Sequence, residues 1–168
     1  MSSPASGDAS DTRRYRDAIG NFATGVTVVT AISENGPTGM TANAITSLSL
    51  DPLLMIVCFD KTSRTLAAAR RTGVVAVNVL AAGQEAFAAA FASKASEAEK
   101  FAGVGWSEHG GTPVIDGVVA WFAGRLEELL PGGDHLIGVV RVARFDAPGG
   151  DPLIYHRGTY ARLLGETP

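Results

Sequence analysis

The chain has a single cysteine, Cys58, and three histidines scattered at His109, His135 and His156. One thiol excludes an intramolecular disulfide and any multi-cysteine zinc site, and the histidines form no metal-ligand spacing, so no metal is expected. Charge is sparse as well. Charged residues make up 18% of the 168, and a formal net charge of -3 gives no broad attraction for nucleic acid or an acidic membrane surface. No apolar run approaches membrane-spanning length, and Met1 to Asp11 lack the basic-then-apolar order of a signal peptide, which points to a soluble, cytoplasmic protein. Several signatures are missing too. No Gly-x-Gly-x-x-Gly opens a helix after a strand and no Walker-type Gly-x-x-x-x-Gly-Lys occurs, so a parallel nucleotide-binding sheet fits poorly. No Gly-x-Ser-x-Gly elbow accompanies any serine, which counts against a hydrolase.

A hydrophobic fraction of 46% with 20 glycines describes an ordinary globular protein. A chain of this length removes about 70% of its unfolded surface from water, enough for one core. Residues 1–11 read as a disordered tail of small polar residues, and residues 12–168 as a single domain. Asp11 or Thr12 can cap a helix through Ile19, with Gly20 and Asn21 as stop residues. Val26 to Ile32 is β-branched and strand-like, and Asn35-Gly36 suits a tight hairpin turn. Further strands are expected over 53–59, 74–80, 118–129, 135–145, 153–156 and 160–164, helices over 65–71 and 84–92, and a second helical or irregular piece over 96–101. Pro131 to Asp134 supplies a reverse turn, and Arg157-Gly158 a final hairpin. Many strands, few helices and glycine-rich turns predict a mainly β chain: a β-barrel with flanking helices.

Chemistry concentrates between Gly39 and Arg64. No charged residue falls between Gly36 and Leu50, yet Thr38, Thr41, Asn43, Thr46, Ser47 and Ser49 offer neutral hydrogen-bonding groups among small side chains. Gly39, Ala42 and Ala44 leave room for a flat ring to approach the backbone, whose N–H groups can donate to developing negative charge. The other reading is a Thr/Ser-rich strand pair whose hydroxyls satisfy local backbone. The apolar run Leu53 to Phe59 then empties into Asp60, Lys61, Thr62, Ser63 and Arg64. There a helix N-terminus, two cations and two hydroxyls make an anion site, and Thr62 or Ser63 serves as N-cap in either case. A neutral surface beside a cationic corner suits a planar polar ring with an anionic tail, the shape of flavin mononucleotide.

His135 follows Gly-Gly-Asp at the start of a strand, where its ring can stand at a cavity mouth with Asp134 orienting it. Cys58 lies in a continuous apolar strand without an adjacent base, which favours packing over nucleophilic chemistry. Trp106 and Trp121 read as core or interface residues. Tyr155, Arg157, Gly158 and Tyr160 form either a surface hairpin or a cluster that closes over a ring or phosphate.

An ordered set of motifs resembles the short flavin reductases of the split-barrel, FMN-binding type. It comprises Phe22 to Thr30, Gly39 to Ala44, Thr46 to Pro52, Lys61-Thr62-Ser63, Val77 to Leu80, Lys100 to Gly103, Gly133-Asp134-His135 and Tyr155 to Tyr160. The resemblance covers nearly everything from Arg14 to Tyr160. It implies a homodimer of split Greek-key β-barrels that reduces FMN or FAD with NADH or NADPH, supplying reduced flavin to a separate monooxygenase. By this likeness Thr38, Gly39, Met40 and Thr41 line the flavin, as does the Met55–Thr62 segment with Cys58, Phe59 and Asp60. Asn43, Ala44 and Ser47 lie near the rings, with Asn43 to Thr46 where nicotinamide stacks, and Lys61, Ser63 and Arg64 lie near the phosphate. His135 is the catalytic candidate, and Arg157 and Tyr160 share its nicotinamide side. The chain departs from the family at Leu53 and Phe59, where proline is common.

Hydride transfer from nicotinamide C4 to flavin N5 asks the protein to stack two rings at roughly 3 to 3.5 Å and to stabilise an anionic product. Neutral donors suffice, which accounts for the lack of a carboxylate pair. Two alternatives use the same residues: a flavin-binding module without turnover, and an oxidase of pyridoxal-type phosphates.

Overall fold

The computed structural model describes residues 11–163. Residues 1–10 of the expected 1–11 tail and the last residue of the expected 160–164 strand lie outside them, while Asp11 belongs to the first helix as its cap. Helix α1 (Thr12–Ile19) is capped by Asp11, whose carboxylate accepts from the Arg14 amide, and it stops at Gly20. Strand β1 (Thr24–Gly25) precedes β2 (Thr27–Ser33), β3 (Gly36–Ala42), β4 (Ile45–Leu50) and β5 (Leu53–Asp60). Then follow α2 (Arg64–Thr72), β6 (Val74–Val79), α3 (Glu85–Ala92) and α4 (Glu97–Lys100). The hairpin β7 (Trp106–His109) and β8 (Thr112–Ile115) leads into the long β9 (Ala120–Gly132) and β10 (His135–Asp146), and β11 (Ile154–His156) with β12 (Thr159–Ala161) ends the described chain.

The principal sheet is antiparallel throughout, with strand order β3-β2-β6-β9-β10-β5-β4. Its two edge strands, β3 and β4, are neighbours in sequence, linked only by Asn43 and Ala44. Laid flat, seven strands would hold those edges about 29 Å apart, whereas three Cα steps reach about 11 Å at most. The sheet must therefore curl until its edges approach. It does not close: β3 and β4 form no ladder with each other. The expected barrel is thus corrected to a curled, open sheet.

Side chains alternate across it. Val29, Val57, Phe59, Val75, Val77 and Val140 pack with Leu66 and Ala69 of α2 on the inner side. On the other face Val28, Leu80 and Leu153 pack with Ala88 and Phe91 of α3, Val104 and Ile115. Pairing period two with burial on both faces gives β2 its unbroken run of five buried residues. Asn78 is fully buried at this second layer and fully engaged. Its Nδ2 donates to the Val28 carbonyl (3.0 Å) and to Thr30 Oγ1 (3.1 Å), and its Oδ1 accepts from the Ile115 amide (2.9 Å), tying β8 onto the sheet.

Turn chemistry explains two local differences from expectation. At the β2–β3 hairpin the left-handed residue is Gly36 (φ 107°), with Glu34 and Asn35 as loop residues, so glycine rather than Asn35 takes the strained position. Residues 106–115, where alternation suggests no strand, form a hairpin because Gly110 and Gly111 both take positive φ.

Candidate active site

The β5–α2 junction builds the anion corner. Asp60 Oδ1 accepts from the Thr62 amide (2.7 Å) and hydroxyl (2.6 Å), closing a turn that aims the next residues into a helix. Those Thr62 hydrogen bonds, followed by the His135 ring, hold the Asp60 carboxyl below the usual aspartate value. Ser63 is the N-cap, its Oγ accepting from the Leu66 amide (3.3 Å) and donating to Met40 Sδ (3.1 Å). The cap leaves the amides of Arg64 and Thr65 without an acceptor among the described residues, at the positive end of a nine-residue helix. A phosphate fits that arrangement.

This corner opens directly onto the neutral strand. One cleft of about 550 Å³ is floored by Gly39, Met40 and Thr41 of β3, bounded by Asp60 and Ser63 to Thr65, and walled by Phe91 to Lys94 at the end of α3 and just after it, by Glu97 and Lys100 of α4, and by His135. His135 pairs with Asp60 across the β5–β10 ladder. Its Nδ1 lies 2.8 Å from Asp134 Oδ1. A carboxylate only accepts, so Nδ1 donates and Nε2 faces away from it. The same contact lowers the Asp134 carboxyl.

Thr41 also lines a smaller cleft of about 210 Å³ with Asn43, Tyr155 and Tyr160. Asn43 and Tyr155 line in turn a third, of about 700 Å³, with Arg16, Phe22, Thr24 and Arg157. Thr41 and Ala92 line both of the first two clefts, and Asn43 and Tyr155 both of the last two, so the three adjoin in a row, a trough of neighbouring clefts from Arg64 past Thr41 and Asn43 to Arg157. Asn43 Nδ2 donates to Thr24 Oγ1 (3.3 Å). Arg157 (φ 48°) is held by Asn21, its Nε and Nη2 donating to Asn21 Oδ1 at 2.8 and 2.5 Å. Burial, then Tyr155, raises the Tyr160 phenol.

Of the residues singled out from sequence, Gly39, Met40, Thr41, Asn43, Asp60, Ser63, Arg64, His135, Arg157 and Tyr160 thus face one trough. The others sit apart from it. The Thr38 side chain is fully buried against Thr65 (3.3 Å), and Phe59 is fully buried in the inner core, so only their backbone can meet a ligand. Cys58 is half-buried, and burial pushes its thiol up, away from reactivity. The Ala44 carbonyl accepts from the Cys58 amide. Lys61 Nζ donates to the Gly133 carbonyl on the β9–β10 turn. Ser47 faces a different, apolar cleft of about 410 Å³ with Leu50, Leu53, Phe122 and Phe145. Room at Gly39 is also not vacant: an added Cβ would stand 2.7 Å from two carbons of the Phe91 ring.

Sequence reasoning passed over Phe91, Lys94 and Glu97. Glu97 Oε2 accepts from the Gly39 amide (2.9 Å), and Lys100 Nζ, buried, donates to the Gly39 carbonyl (3.2 Å). Two side chains of α4 therefore satisfy the edge-strand polar groups that no neighbouring strand covers. The signal was the Lys100-to-Gly103 motif, to which no role had been attached.

The chain is 39% identical over 158 residues to the reductase subunit of a flavin-dependent monooxygenase from Rhodococcus jostii, covering 93% of this chain and 80% of that protein. It is 42% identical over 160 residues to a probable flavin reductase of Rhizobium meliloti, covering 93% of this chain but only 51% of the longer relative. The solved structure of an NADH:FAD oxidoreductase from Streptomyces globisporus superimposes with a TM-score of 0.89 at 35% identity, covering 97% and 100% of the two chains. The model for the flavin reductase like domain matches residues 19–164, which include every trough residue named above except Arg16, and the chain belongs to that family.

Proposed function

We propose that this protein is an NAD(P)H-dependent flavin reductase that passes hydride from nicotinamide to FMN or FAD and supplies reduced flavin to a separate monooxygenase in the cytoplasm. The observation that carries the reading is the single cleft in which an uncharged strand, Gly39 to Thr41, opens onto two unsatisfied helix-terminal amides and Arg64. Flavin, when bound, supplies the hydride-accepting ring. The chain's own residues bind and orient: the β3 floor carries the ring, the α2 N-terminus with Arg64 carries the phosphate, and Asn43 and Tyr160 border the space for nicotinamide. His135, oriented through Asp134 with its proton on Nδ1, presents Nε2 at the cleft mouth as an acceptor from the second substrate. Fixed neutral donors stabilise charge that gathers on the ring without an acid–base pair.

Residues 12–168 act as one domain built on the curled, open sheet, and two copies associate. Leu48, Leu50, Leu53 and Phe145 are exposed around the apolar cleft beside β4 and β5, a surface that a second copy would cover. Leu50→Asp with Phe145→Asp should convert the sedimenting species from dimer to monomer; a wild-type monomer refutes the association.

NADH or NADPH oxidation followed at 340 nm should depend on added FMN, FAD or riboflavin. Absence of turnover with every pairing refutes the enzyme. A yellow protein that keeps its flavin through gel filtration and resists NADH would instead be a binding module.

A further inference from the structure

We propose that Glu97 competes with the flavin phosphate for Arg64 and thereby keeps the flavin a releasable substrate. The inference rests on the placement of the phosphate at α2 given above. Arg64 is already engaged: its Nε lies 2.8 Å from Glu97 Oε1, and its Nη2 donates to the Ala95 carbonyl. Glu97 does not depend on Arg64 for its position. The Gly39 amide holds Oε2, and Lys100 Nζ lies 3.6 Å from Oε1 while fixed on the Gly39 carbonyl. Oε1 is buried and has no aligned hydrogen bond even with Arg64 so near. A buried, under-satisfied carboxylate oxygen gains most from a guanidinium, so an incoming phosphate must take Arg64 from it or share it.

The consequence is selective. A phosphate monoester at Arg64 also meets the negative fields of Glu97 and Asp60, whereas the oxidised flavin ring carries no net charge for those fields to repel. Glu97 therefore weakens the hold on the phosphate and leaves the hold on the ring alone. For a protein that must hand its product on, weaker binding of the charged tail speeds departure.

Flavin fluorescence quenching, titrated with FMN and with riboflavin, tests this without turnover. Glu97→Gln keeps an oxygen for the Gly39 amide but removes the charge. It should tighten FMN about two- to fivefold, in the range expected for losing one competing ion pair, and move riboflavin less than twofold. Arg64→Met should weaken FMN relative to riboflavin, and Glu97→Gln placed on top of it should restore less than twofold. Because Lys100 then lies buried without a carboxylate, Glu97→Gln with Lys100→Met serves as a second variant with unchanged net charge, and it should tighten FMN in the same direction. FMN affinity unchanged or weakened in both Glu97 variants, while Arg64→Met still lowers the FMN-to-riboflavin ratio, overturns the competition alone. A ratio indifferent to Arg64→Met overturns it together with the phosphate placement.

Discussion

Replacing Gly39 by alanine separates two reasons for a glycine at the floor of the trough. If the position is small to admit a ligand ring, a methyl group there costs flavin affinity and leaves stability alone. The structure gives the other answer. A Cβ would stand 2.7 Å from Cδ1 and Cε1 of Phe91 and 3.4 Å from Val28 Cγ1. Phe91 is only 1% exposed and meets the Phe101 ring edge-on at 4.9 Å, so its ring has no free direction in which to retreat. Overpacking of this kind costs about 1–3 kcal/mol. In a chain of this size each kcal/mol lowers the melting temperature by roughly 2–4 °C, so a fall of about 2–12 °C is expected. Thermal unfolding followed by circular dichroism would be measured for the wild type, Gly39→Ala, Phe91→Leu and the pair. Removing the ring relieves the clash, so the double variant should be less destabilised than the sum of the singles by about 1 kcal/mol. Unchanged melting in Gly39→Ala with weakened FMN binding would refute this reasoning, and so would strict additivity.

The remaining expectations follow from the anion corner and its neighbours. Ser63→Ala should weaken FMN more than riboflavin; it also costs about 1 kcal/mol as a lost N-cap, so melting temperatures must accompany the titrations. Equal losses for the two flavins would remove the phosphate from this corner. His135→Ala should raise the Michaelis constant for the nicotinamide substrate while leaving flavin binding nearly intact, and an unchanged constant would leave His135 without a role in the reaction. Asp60 is depressed in the folded chain from an ordinary value of 3.8, so it contributes stability that is present above that value and lost as the pH falls through the lower folded value. Acid unfolding curves should accordingly be flatter below about pH 4 in Asp60→Asn, which keeps the accepting oxygen but not the charge; coincident slopes would show that the Thr62 contacts do not select the ionised form.

Much of the fold was legible because its signals are local. Asp11, Ser63 and Ser96 cap helices where side-chain oxygens reach backbone amides within three residues, and Gly73 ends α2 in a left-handed conformation. The β7–β8 hairpin was missed since its strands have four residues each, too few for alternation to register, although Gly110-Gly111 marked the turn. Closure was overestimated for another reason. Strand content predicts a barrel, but whether β3 and β4 pair is a property of two edges distant in the sheet.

The site divides the same way. The sequence alone determined its ingredients: an uncharged Gly39–Ser49 stretch, a capped helix start with Lys61 and Arg64, and a Gly-Asp-His turn, each a short-range pattern set by backbone chemistry. Its ordered motifs also determined the family. Only the tertiary structure decided which ingredients share a surface. Phe59 and Cys58 are adjacent in sequence yet on opposite faces, since β5 turns every second side chain into the core, and Ser47 is carried to another cleft by the far edge of the sheet. Glu97 and Lys100 reach Gly39 across some sixty residues because an edge strand exposes an amide and a carbonyl that some group must satisfy. No short-range pattern encodes that need, and it is the one that brings a carboxylate to Arg64.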